Sequence, residues 1–111
     1  CVRAFWDETS DVWYSGGLVD KPGAVFTSSV SLHGGQESTL LGMMMPMIHH
    51  GMIIVGMPYT DQNLEKTKTG GGPYGASHVS NQQGLSKEER EIAKFLGKRV
   101  AQIAINQEKN K

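Results

Sequence analysis

The chain has 111 residues, with eleven Lys plus Arg balanced by eleven Asp plus Glu, and a single cysteine. That length bounds it to one domain at most. Neutral charge leaves no basic footprint for nucleic acid, and Cys1 alone excludes an internal disulfide framework or a cysteine-based zinc site. No run of about 18 apolar residues is present to cross a membrane. Nor does a charged start lead into an apolar stretch, so nothing signals secretion and a reducing, cytoplasmic setting is expected. The chain opens on Cys1-Val2-Arg3-Ala4-Phe5-Trp6 rather than on Met, which reads as a piece of a longer protein.

Val2, Phe5, Trp6 and Thr9 recur at helical spacing and predict an amphipathic helix over 2–9. Residues 11–17, holding Trp13 and Tyr14, read as a turn region. Lys21-Pro22-Gly23 is a turn signal, followed by a buried strand over 24–28. A polar, Gly-ended loop leads into a helix over 36–50, with Leu40, Leu41, Met44, Met47 and Ile48 on one face. Pro46 inside it predicts a kink, and Gly51 a stop. Residues 52–57 form a continuous apolar run, expected to be a strand buried on both faces. Residues 58–84 are a long, glycine-rich connection, with a short strand possible over 76–79. Ser86 and Glu89 form a capping box for a last helix whose stripe is Leu85, Ile92, Leu96, Val100 and Ile103. Its acidic residues lie near the start and Lys94, Lys98 and Arg99 further on, as the helix dipole favours. The tail 106–111 is expected to fray.

Strand, helix and strand over 24–57 make a βαβ unit, which demands parallel pairing. Two parallel strands are too few for a sheet covered on both faces. The reading is the C-terminal part of a doubly wound α/β domain; a small self-sufficient α+β domain is the alternative. In such folds the ligand lies beyond the carboxyl ends of the strands. The loop 28–35 occupies such an end and enters a helix N-terminus, although an ordinary βα connection would look the same.

Four segments carry a resemblance: Phe26-Thr27-Ser28-Ser29, His33-Gly34-Gly35-Gln36-Glu37-Ser38-Thr39-Leu40, His49-His50-Gly51-Met52, and Gly71-Gly72-Pro73-Tyr74-Gly75-Ala76. Together with Phe5, Asp7-Glu8-Thr9 and Trp13 upstream, they resemble the WrbA-type NAD(P)H:quinone oxidoreductases, FMN enzymes of flavodoxin-like fold. The resemblance spans nearly the whole chain and matches the C-terminal half of that domain, with its last two of five strands. It implies that 1–111 lacks the N-terminal strands and the phosphate-cradling loop.

Carried over residue by residue, Ser28, Ser29, Val30, Ser31, Leu32, His33 and Gly34 match the loop that wraps the ribityl and ring of FMN. Val30 stands where Gly is usual, and Leu32 where Gly or a polar residue is usual. Backbone contacts there survive only if no positive φ is needed. His49 matches a histidine that contacts the flavin. Trp13 matches an aromatic wall of the substrate space, contributed by a neighbouring subunit, and Asp7 an acidic residue at the same boundary.

The resemblance implies NAD(P)H as reductant, a quinone as acceptor, a homo-oligomer built as a dimer of dimers, and no catalytic nucleophile or general base. A flavodoxin-type electron carrier, or a fragment that binds no flavin, is the alternative. No metal is expected at His49 and His50, because adjacent side chains on a helix diverge. His50 is read as a dipole-interacting residue, the methionines 43, 44, 45 and 47 as core and subunit filler, Lys66 and Lys68 as solvated, and Gly70–Gly72 as packing on a neighbouring subunit.

Overall fold

The stretch 21–29 forms the strand along which the others pair in the structure, a computed structural model that describes residues 2–80 and 84–110. Cys1 lies outside the described residues. In chain order the elements are α1 (Val2–Asp7), α2 (Ser10–Ser15), β1 (Pro22–Gly23), β2 (Phe26–Ser29), α3 (Gln36–His49), β3 (Ile53–Ile54), α4 (Asn63–Lys66), β4 (Ala76–Val79) and α5 (Lys87–Lys109).

Both strand pairs are parallel. Pro22 and Gly23 pair with Ile53 and Ile54, and Phe26 to Ser29 pair with Ala76 to Val79. The carbonyls of Lys21, Gly23 and Ser29 accept from the amides of Ile53, Val55 and Ser80, respectively. Carbonyls two residues apart in an extended strand point the same way. The odd-numbered groups of 21–29 therefore use one flank for both partners, and β3 and β4 run in tandem along it. Residues 56–75 are an excursion between them, closed by the Met57 amide on the Pro73 carbonyl and by a bridge between Gly72 and Gly75. Among the described residues no strand pairs with the opposite flank, and Phe26 beside it is 77% exposed.

Side-chain alternation sends neighbouring residues to opposite faces. Val25 packs with Leu40 and Met47 of α3, and Met43, Met44, Met52, Ile54 and Trp6 border that cluster. On the other face Val55, Met57, Leu64 and Ala76 bury Ile92 and Leu96 of α5, with Ala24, Val100 and Ile103 at the margin. The result is a helix layer on each side of parallel strands, an α/β arrangement compatible with a flavodoxin-like fragment.

Several expectations need correction. The turn read over 11–17 is the helix α2, ended by Gly16 at φ 69°, whose amide donates to the carbonyls of Trp13 and Val12. The strand expected over 52–57 is regular only at 53–54, and Ile53 remains 41% exposed. By contrast, α3 is a single helix from 36 to 49 with Pro46 inside it, as expected. The capping box of α5 is complete, and that helix extends through Lys109, past the start of the expected frayed tail. No helix among the described residues is long and apolar enough to cross a membrane.

Candidate functional site

The loop from Ser28 to Gly34 leaves the carboxyl end of β2. Its fold is set by short local bonds. Ser29 Oγ donates to the Ser31 carbonyl at 2.7 Å, and the Gly34 amide donates to the same carbonyl at 3.1 Å. A Cβ on Gly34 would stand 2.8 Å from Ser29 Cβ, so the turn needs glycine there. Val30 and Leu32 do not adopt positive φ; Asp20 is the one described non-glycine residue that does. Side chains in place of glycine are thus accommodated without backbone strain.

Val30 is 72% exposed, Leu32 50%, and Ser28, Ser31 and His33 also face solvent. Gly35 has no side chain to cap α3, which leaves first-turn amides of the helix open. A cleft of about 460 Å³ lies between Leu32, His33, the first turn of α3, Gly71, Tyr74 and Ser77. No Lys or Arg occurs between Phe26 and Thr39. The donor set of hydroxyls and amides fits the oxygens of a flavin ring and ribityl chain, and offers no cation for a phosphate.

His49 and Trp13 form a second locus. Trp13 Nε1 donates to the His49 carbonyl at 2.9 Å, which ties α2 across the carbonyl end of α3. Asp7, Trp6, Pro46 and both histidines line the same cleft of about 260 Å³. His50 is buried at 6% exposure, so its side chain packs rather than facing the solvent end of the helix. Thr9 Oγ donates to the Trp6 carbonyl and accepts from His50 Nε2 at 2.9 Å. The Trp6 and His50 rings lie 5.4 Å apart, and His50 Nδ1 is buried without a hydrogen-bond partner.

The structure therefore groups Ser28 to Gly34 at one end of α3 and gathers Asp7, Trp13 and His49 at the other. Fourteen residues of helix separate the two groups by about 20 Å.

Glu89 and Gln36 also tie together segments far apart in the chain, a role with no signal in the sequence. Glu89 is 2% exposed. It accepts from the amides of Ser86, Val79 and Gly70 at 2.9 Å each and from His78 Nδ1 at 3.0 Å. Burial works to raise its pKa, but the amides of Ser86 and Val79, the His78 ring and the Gly70 amide outweigh it and hold the carboxyl at about 2. The capping box marked Glu89 as a helix start; its reach to Gly70 and Val79 left no local signal. The segment Gly70–Gly71 is consequently packed on its own chain. A Cβ on Gly70 would meet the Ser77 carbonyl at 2.0 Å, and one on Gly71 would meet Ile92 at 2.4 Å. Tyr74 beside it stays partly exposed.

No family model matches the chain. Over 109 residues it is 50% identical to a protein of Rhizobium rhizogenes named NAD(P)H dehydrogenase (quinone), covering 93% of this chain and 54% of that relative. Proteins of the same name from Rhizobium johnstonii and Solidesulfovibrio magneticus are 47% and 43% identical over 108 residues. The chain is homologous to the C-terminal half of NAD(P)H dehydrogenases (quinone). It spans about half the length of these curated relatives. The matched region includes the Ser28 to Gly34 loop, the Trp13–His49 cleft and the Glu89 anchor, all within this half.

Proposed function

We propose that the chain is the C-terminal half of an FMN-dependent NAD(P)H:quinone oxidoreductase. The observation that carries this reading is the open loop 28–34, built of neutral donors at the carboxyl end of a parallel strand, in a chain homologous to proteins named for that reaction. In the reaction NAD(P)H gives up a hydride and becomes NAD(P)+, and the quinone takes the two electrons and proton of that hydride plus one proton from water to become the quinol. Bound FMN supplies the hydride-transfer chemistry.

Ser28, Ser29, Ser31 and the backbone of Val30, Leu32, His33 and Gly34 would hold the ring and ribityl through hydroxyls and amides. Val30 and Leu32 would cover apolar ring surface. With Trp13 and His49 about 20 Å away along α3, these two residues would close the loop of another copy rather than their own. The proposed assembly is accordingly a homo-oligomer, a dimer of dimers, in which Trp13 walls the quinone space and His49 donates toward the ring. The unpaired flank of 21–29 is where the remaining strands would add, together with the phosphate-binding loop. A cytoplasmic location fits the use of NAD(P)H.

The test is the absorbance spectrum of the chain after mixing with FMN and desalting, alone and joined to the N-terminal half of a relative. Retained flavin bands and NAD(P)H-dependent reduction of a benzoquinone by the joined protein are expected. Loss of flavin from both forms would overturn the reading. Trp13→Ala should raise the KM for quinone about tenfold while leaving the FMN Kd within about twofold; equal losses in both would remove the substrate-wall role.

A further inference from the structure

We infer that Gln36 is a positioning residue that couples the Glu89-anchored glycine segment to the loop 28–34, an inference that rests on the flavin reading only for its functional consequence. Gln36 is the first residue of α3 and is half-buried. Its Nε2 donates to Ser29 Oγ at 2.8 Å and to the His78 carbonyl at 3.2 Å. Its Oε1 accepts from Ser77 Oγ at 3.0 Å. One side chain thus joins β2, β4 and the start of α3.

The direction of every bond in this chain is fixed by the groups at its two ends. The Gly71 amide can only donate, and it donates to Ser77 Oγ at 2.6 Å. Ser77 then gives its own proton to Gln36 Oε1. At the other end the Ser31 carbonyl can only accept, and it takes the Ser29 hydroxyl proton. Ser29 must therefore accept from Gln36. The relay runs one way, from the Gly71 amide through Ser77, Gln36 and Ser29 to the Ser31 carbonyl, and aligned bonds of this kind reinforce one another. Its first member is held in place by the neighbouring Gly70 amide on Glu89 Oε2. Its last member is the carbonyl that also receives the Gly34 amide and so shapes the loop. Gly71, Gln36 and Leu32 all line the same cleft.

Glutamate at position 36 keeps the shape but not the direction. An ionised carboxylate accepts from Ser77 yet cannot donate to Ser29, and it faces the His78 carbonyl with like partial charge. Gln36→Glu is therefore as informative as Gln36→Ala, and it perturbs packing less.

The experiment is amide exchange by NMR on the whole chain, for the unaltered protein, Gln36→Ala and Gln36→Glu. Both variants should speed exchange at Gly34 and Gly71 about tenfold, with amides of α5 around Ile92 to Leu96 unchanged. Unchanged protection at Gly34 would overturn the coupling. If Gln36→Ala does not fold, Ser29→Ala cuts the last two links, leaves Ser77 on Gln36, and should free Gly34 alone; protection retained there overturns the inference. In the protein joined to a relative's N-terminal half, Gln36→Glu should weaken FMN and riboflavin by the same roughly tenfold factor, because the loop carries no cation for the phosphate. A loss confined to FMN would overturn the positioning role. If neither flavin binds the unaltered protein, the flavin reading fails, while the exchange result still decides whether Gln36 sets the loop.

Discussion

The strand 21–29 has two flanks, and they are built on opposite principles. On one flank β3 and β4 lie in tandem, glycines meet backbone at close range, and Glu89 gathers three amides and a histidine. On the other flank Phe26 stands 77% exposed. On the face toward α5, Ala24 and Ala76 with Ala93, Leu96, Gly97 and Val100 line a shallow apolar cleft of about 160 Å³ that reaches Phe26. The first flank holds itself together through polar bonds to atoms of this chain. The second offers apolar surface and backbone groups that no strand among the described residues pairs with, and its stability depends on whatever covers it. Substitutions can test this contrast, since the same change should act differently on the two sides.

The largest effect is expected at Gly70. Its missing side chain leaves room for the Ser77 carbonyl and Glu89 Oε2, which a Cβ would approach to 2.0 and 2.6 Å. Gly70→Ala must displace a backbone strand and a buried carboxylate together. A loss of about 4 kcal/mol or more is expected from overpacking plus stranded polar groups, measured by urea denaturation. A shift under about 1 kcal/mol would show that the closed flank is soft.

Next comes Glu89. Its carboxyl titrates at about 2 in the folded chain against an ordinary 4.5. A depressed folded pKa means the stabilisation is fully present above 4.5 and is lost as pH falls toward 2, amounting to about 3 kcal/mol. Glu89→Gln turns an amide N–H toward groups that themselves donate, so it should destabilise the chain by about 3 kcal/mol at neutral pH. It should also flatten the decline in stability between pH 4.5 and 2. An acid limb as steep in the variant as in the unaltered chain would assign that limb to other carboxyls.

How much of this was legible beforehand follows the range of the interactions. The α5 start and stripe were readable, because Ser86, Glu89, Ile92, Leu96 and Val100 announce themselves within a few turns. α3 and its Gly51 stop were readable for the same reason. The second partner of 21–29 was not. Residues 52–57 and 76–79 look like separate strands, and nothing local says they share one flank. α2 was misread as a turn because Trp13 and Tyr14 form no apolar stripe; what fastens the helix is the bond from Trp13 to the His49 carbonyl, 36 positions away. The candidate loop was found by its place after a strand and by resemblance. Its support by Gln36, Ser77 and Glu89 joins residues that only the fold brings together.

The smallest effect is expected on the open flank, and its sign carries the information. Gly97 lies inside α5, and a Cβ there would meet nothing within 4 Å. In the chain alone, Gly97→Ala removes backbone freedom from the unfolded state and should stabilise by about 1 kcal/mol. Joined to the N-terminal half of a relative, a strand added at the flank of 21–29 and any element packed over it would reach the cleft beside Phe26 into which this methyl projects, and the gain should vanish or reverse. Thermal unfolding of both forms measures the difference directly. An equal gain in both would mean that the cleft beside Phe26 stays open in the longer protein, and that the added strands do not continue the layer over α5 at this point.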